Sequence, residues 1–187
     1  MLELADGGPY AVIDVETTGF SPQRDRIVEI AIVHVNEQGT VQGTWSTLVD
    51  PEQATGPSHV HGITAHDVRD APRFKDILPH IQQQLDGRTV VAHNAAFDLG
   101  FLRSEFQRAG VMIPNWPLVC TMQLTKSYDP GESASLADTC KRLNVRTGKA
   151  HTAAADAIAA AGVLSSYIGR DSKVAARRVQ TTPMTTD

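Results

Sequence analysis

The chain predicts an α/β layer fold with a mixed five-stranded sheet flanked by helices. Residues 10–49 hold three strand-like runs, with a tight turn between the second and third. From residue 73 onward, stretches with apolar positions at helical spacing alternate with short β-branched runs. Strands that start as a hairpin and continue as β-α alternation give a sheet of mixed direction with helices packed on it.

Each element has its own reason. Tyr10-Ala11-Val12-Ile13 opens a first strand over residues 10–16. Residues 27–35 form a second, too continuously apolar to have a wet face and therefore central. Asn36-Glu37-Gln38-Gly39 turns the chain, and residues 41–49 return antiparallel. Pro51 and Pro57 bound a loop. Phe74, Ile77, Leu78, Ile81 and Leu85 share one face of a helix over 73–85, which Gly87 ends. Residues 89–93 are a short buried strand, and a helix runs from 95 to 109 with Gly110 as its stop. Residues 118–122 read as a fifth strand, and Ser135 caps a helix to Leu143. An alanine-rich helix covers 152–168. Residues 1–169 thus form one domain, and 170–187, polar and without an apolar period, read as a flexible tail.

Composition narrows the function. A chain of 187 residues suffices for one domain with a sizeable core. No apolar run is long enough to span a bilayer, and the start Met-Leu-Glu-Leu-Ala-Asp lacks the basic residues of a signal peptide. Cys120 and Cys140 make neither a zinc ribbon nor a disulfide framework, so free thiols and a cytoplasmic setting are expected. The net charge of −4 is unusual for a nucleic-acid protein. Four acidic residues of one candidate site account for it, leaving the remainder near neutral.

Those four are Asp14, Glu16, Asp98 and Asp156, joined by His151. Asp14 and Glu16 are two apart on a strand and share a face. Adjacent carboxylates repel unless a cation or a proton intervenes. Their hard oxygens suit Mg²⁺ or Mn²⁺. Thr17-Thr18-Gly19 is a tight exit from the strand, where a ligand can approach the backbone. Asp98 falls in the first turns of the helix after the fourth strand, at the mouth of the sheet. His151 and Asp156 are five residues apart, about 140° on an ideal helix. Asp156 therefore sits on the last helix and His151 on the loop before it, where Gly148 and Lys149 suit a mobile general base. Glu29, interrupting the second strand, reads as a partnered buried carboxylate in preference to a direct metal ligand. Each residue alone has a dull explanation as a cap or a surface group. Together, in this order and on these elements, they are the parts of a two-metal phosphodiester-cleaving site.

The motifs resemble those of the DEDDh 3′–5′ exonuclease family (DnaQ-like), which includes the proofreading epsilon subunit of bacterial DNA polymerase III. The resemblance covers residues 9–168 and rests on Asp14-x-Glu16-Thr-Thr-Gly, Arg26 to Ile30, Val60-His61-Gly62-Ile63, His93 to Asp98, and His151-x-x-x-x-Asp156. It implies a ribonuclease-H-like mixed sheet and two divalent ions. Asp14, Glu16 and Asp156 would hold one ion, Asp14 would bridge to the second, and Asp98 would hold that second ion directly or through water. His151 would be the general base. The resemblance also places Phe20 and Ile63 against terminal bases. Thr17 and Thr18 can offer backbone N–H and hydroxyl groups near the 3′ end, and His61, Asn94 and Phe97 read as pocket neighbours, with Phe97 equally readable as a core residue. The expected activity is release of 5′-mononucleotides from 3′ ends of DNA in proofreading or repair, with a replicative polymerase or clamp as partner. An RNA-trimming exonuclease of the same family is the alternative, and an inactive scaffold is disfavoured by the intact site. Gln180-Thr181-Thr182-Pro183-Met184 echoes a clamp-binding segment but lacks the aromatic, and none is assigned.

Overall fold

A computed structural model describes residues 8–148 and 151–180. Strand β1 (Tyr10–Thr17) is its axis. It pairs antiparallel with β2 (Ile27–Val35) on one side and parallel with β4 (Thr89–Ala92) on the other. β3 (Val41–Leu48) extends the sheet antiparallel beyond β2, and β5 (Leu118–Cys120) extends it parallel beyond β4. The order is β3-β2-β1-β4-β5, the mixed ribonuclease-H-like sheet.

Strand parity builds two cores. Ala11, Ile13 and Val15 face one side with α2 (Phe74–Leu85) and α3 (Ala95–Arg108). Tyr10 and Val12 face the other with Ala157, Ala160, Val163, Leu164 and Tyr167 of α6 (Ala153–Gln180). The alanines let α6 lie close to the sheet. Asp14 and Glu16 continue the parity of Tyr10 and Val12, so they emerge on the α6 side at the carboxyl end of β1. α2 carries Pro79 in its interior, which costs about 3 kcal/mol. Buried Phe74, Leu78, Ile81 and Leu85, each contributing about 1.5–3 kcal/mol, outweigh it.

Two elements differ from expectation. The fifth strand stops at Cys120, and residues 121–128, in part assigned to it, form helix α4 (Thr121–Tyr128). Its buried positions are Thr121, Leu124 and Thr125, so two of the three inward residues are polar and hide the helical period. Thr125 satisfies its hydroxyl on the Thr121 carbonyl. The second difference is α6, whose backbone stays helical to Gln180, past the expected end at 168. Arg170 pairs with Asp129 at 3.0 Å and lies over the Tyr167 ring, tying the helix down where a tail was expected. The rest of that expected tail, 181–187, falls outside the described residues, as does Lys149. A short helix α1 (Ser58–His61) stands in the segment after Pro57, and α5 (Leu136–Leu143) starts at Ser135, whose hydroxyl accepts from the Asp138 amide. Among the described residues no helix is long and apolar enough to cross a membrane.

Candidate active site

Asp14 and Glu16 from β1 and Asp156 from the first turn of α6 bring carboxylate oxygens within 4.8 Å of one another. Asp98, 3% exposed on the first turn of α3, joins from the β4 side. Burial, then the charges of Asp98, Asp156, Glu16 and Glu29, raises the Asp14 pKa well above the usual carboxylate range. Burial, then Asp156 and Glu29, pushes Glu16 up to about 7. Burial pushes Asp98 up to about 7 as well, although hydrogen bonds from its own amide and that of Val15 oppose the shift. Asp156 is raised by burial and partly offset by His151. Carboxyls that prefer protons near neutrality, crowded on hard oxygens, form a donor set that a divalent cation would satisfy.

His151 stands before α6 with φ of 62°, and its amide donates to Asp156 Oδ2 at 3.1 Å. His151 is exposed. Glu29 lies directly opposite Glu16 in the β1–β2 ladder. Like charges so placed repel, yet Glu29 has a partner. Its Oε2 accepts from the Ala153 amide at 3.0 Å, at the positive end of α6. Thr152 Oγ1 accepts from the Ala155 amide in the same turn. The structure thus gives Glu29 a partner that sequence reading anticipated in kind but not by name, because the two residues lie 124 positions apart.

The expected substrate residues are placed unevenly. Phe20 is 87% exposed on the loop after β1. Asn94 is exposed, in a left-handed conformation at the start of α3, and Phe97 is half-buried with its ring 5.0 Å from that of Phe101. Thr17 and Thr18 are buried. The Thr17 hydroxyl donates to the Gly19 carbonyl, and the Thr18 amide donates to the Arg26 carbonyl. The Thr18 oxygen accepts from the Arg26 amide and the Gln53 side chain. These groups therefore shape the strand exit, and the Thr18 amide is not turned toward a ligand. Ile63, 6% exposed, packs with Val28 and Val68, so it shares no open face with Phe20. His61 is buried, and its Nδ1 accepts from the Ile63 amide, stiffening that turn.

A cavity of about 340 Å³ between α5 and α6 reaches the site through His151 and Asp156, with Leu136, Cys140 and Val145 on its walls. The larger groove, about 1050 Å³ beside Arg88 and Trp116, contains no part of the carboxylate cluster. It opens at the amino end of β4, away from the chemistry. His93 follows β4 in the same motif as Asp98. Its ring contacts Thr121 Oγ1 and the Ala134 carbonyl at 2.9 and 3.0 Å, tying β4 to α4 and the loop before α5.

A mixed sheet in this order, with acidic residues gathered at the carboxyl end of its central strand, defines a ribonuclease-H-like nuclease architecture. Residues 11–164 match the model of the exonuclease family RNase_T, and the chain belongs to that family of DnaQ-like 3′–5′ exonucleases. It is 35% identical over 153 residues to the 3′-5′ exonuclease DinG of Bacillus subtilis, covering 79% of this chain and 16% of that protein. Against the PolC-type DNA polymerase III of Bacillus cereus it is 32% identical over 150 residues, covering 79% of this chain and 10% of the polymerase. The chain is therefore far shorter than these relatives. The solved structure of Exonuclease X in complex with 5′ overhanging duplex DNA is similar at 33% identity and a TM-score of 0.68, covering 88% of this chain and 93% of that one. Escherichia coli Exonuclease I in complex with a dT13 oligonucleotide shares the fold, with a TM-score of 0.78 at 17% identity over 90% of this chain and 42% of that one.

Proposed function

We propose that the chain is a metal-dependent 3′–5′ exonuclease that releases 5′-mononucleotides from 3′ ends of DNA, in proofreading or repair. The observation that carries this reading is the convergence of Asp14, Glu16 and Asp156 from two elements, with Asp98 beside them and His151 on the adjoining loop. Asp14, Glu16, Asp98 and Asp156 would hold two divalent ions, Mg²⁺ or Mn²⁺. When bound, such ions polarise the phosphate, lower the pKa of water and stabilise the leaving oxygen. Asp14 faces three other site carboxyls and is the natural residue to serve both ions. His151, anchored through its amide to Asp156, would take the proton from the attacking water, as the imidazole of a general base does. Exposed Phe20 would stack on the terminal base, and the half-buried Phe97 would border the pocket.

DNA is favoured because Exonuclease X, similar along nearly its whole length, was solved with duplex DNA. The PolC relative supports delivery of the 3′ end by a replicative polymerase or clamp. Residues 1–169 would be the catalytic unit and 170–187 an appendage. The free thiols of Cys120 and Cys140 agree with a cytoplasmic setting. Membership in the RNase_T family keeps RNA trimming as the second reading. The test compares 3′-labelled single-stranded DNA, duplex DNA with a terminal mismatch, and RNA at matched concentrations in Mg²⁺ or Mn²⁺. Rapid loss of label from single strands and mismatched ends is expected. Faster digestion of RNA would select the second reading, and no digestion of any substrate would leave a scaffold.

A further inference from the structure

We infer that Arg108 is a positioning residue for the 3′ end: itself held by the buried carboxylate of Glu105, it anchors the loop that presents Phe20. The inference rests on the stacking contact proposed above. Glu105, on α3, is only 2% exposed. Its Oε1 accepts from Arg26 Nε at 2.7 Å and from Arg108 Nη1 at 3.2 Å, and its Oε2 accepts from Arg26 Nη2 at 3.0 Å. A buried carboxylate between two guanidinium groups adds little stability over an apolar replacement, because desolvation offsets the attraction. Its value lies in where the remaining guanidinium donors point.

They point to two loops. Arg108 Nη2 donates to the carbonyls of Pro22 and Gln23 at 2.8 and 3.0 Å, just past Phe20. Arg26 Nη1 donates to the Pro51 carbonyl at 3.0 Å, at the start of the loop that carries Gln53 and Gly56. That second loop rests on Thr18: Gln53 Nε2 donates to its hydroxyl at 2.8 Å, and a Cβ at Gly56 would collide with the Thr18 carbonyl. The Phe20 loop is closed at its base by the reciprocal Thr18–Arg26 bonds and across its middle by the Ser21 amide on Asp25 Oδ2. Phe20 itself is almost fully exposed, so the loop backbone, rather than packing around the ring, sets its position. An aromatic held this way loses less freedom when a base settles on it.

The experiment measures steady-state digestion of 3′-labelled single-stranded DNA in Mn²⁺ by the full chain and by Arg108→Met, Arg108→Lys, Phe20→Ala and the Arg108→Met/Phe20→Ala double variant. Arg108→Met should raise KM about tenfold, within the range of one lost stacking contact, with kcat within about twofold. Arg108→Lys, which keeps a donor, should recover part of the loss and guards against a folding defect in the methionine variant. The double variant should be no worse than Phe20→Ala alone, because coupled residues are not additive. A fall in kcat at unchanged KM, or losses that multiply in the double variant, would overturn the inference. Failure of the unsubstituted chain to digest from 3′ ends would instead remove the functional reading beneath it.

Discussion

Burial, then the neighbouring carboxyls of Asp98, Asp156 and Glu16, raises the Asp14 pKa. Asp14→Ala should abolish hydrolysis in Mg²⁺ while the metal-free protein melts at the same or a higher temperature, since a repelling carboxyl is gone. Near-normal turnover by folded Asp14→Ala would remove the metal assignment. His151→Ala should lose roughly 10²–10⁴-fold in rate and keep its Mn²⁺ affinity by calorimetry. A collapse of affinity would make the imidazole a ligand instead. Asp14 and Glu16 were legible from the sequence because strand parity alone puts them on one face, and β1 places them there. Asp156 was legible because two groups five residues apart cannot share one helix face, and α6 does begin after His151. The availability of Thr18 and Ile63 was not legible. It depends on Arg26, Gln53, Val28 and Val68, which only tertiary structure brings near.

At the scale of elements, the apolar runs located β1, β2, β4, α2 and α3 to within a residue or two. α4 escaped because buried threonines replace its apolar face, and the end of α6 escaped because the sequence from Arg170 to Gln180 carries no apolar period. The link that matters most for the site is also non-local: Glu29 on β2 accepts the Ala153 amide and holds the start of α6. Glu29→Ala should therefore weaken Mn²⁺ affinity and activity together, whereas Glu29→Gln, which keeps an acceptor oxygen, should retain most of both. Equal losses in the two variants would mean that the charge, not the hydrogen bond, matters. Removing the shared acceptor of the arginine pair, Glu105→Ala, should cost about 3–5 kcal/mol in urea unfolding. A loss below about 1 kcal/mol would show that the buried ion network is slack.

For the whole molecule, the site leaves a signature in stability. Glu16 and Asp98 titrate near 7 in the fold and near ordinary carboxylate values when unfolded. Each raised group contributes stability that is fully present below its unfolded pKa and is lost as pH rises toward 7. Asp129, lowered by Arg170, Tyr167 and Arg142 against the opposing effect of burial, acts in reverse and loses its contribution in acid. Metal-free protein should therefore melt higher at pH 5.5 than at pH 8, and Mn²⁺ should raise the melting temperature more at pH 8. A flat profile in calorimetry would contradict the crowded-carboxylate account. The near-neutral remainder of the chain also predicts distributive digestion with a shallow salt dependence, unlike a protein that neutralises six or more phosphates. A trap assay showing long uninterrupted digestion by the isolated chain would contradict that.

The most direct test of the central claim follows a 5′-labelled single strand over time in Mg²⁺, with the released products separated by chromatography. A metal-dependent 3′–5′ exonuclease gives a ladder shortening one nucleotide at a time, 5′-mononucleotides as the released species, and no activity in chelator or with Asp14→Ala. Internal fragments, immediate loss of the 5′ label, or digestion that survives chelation would contradict it.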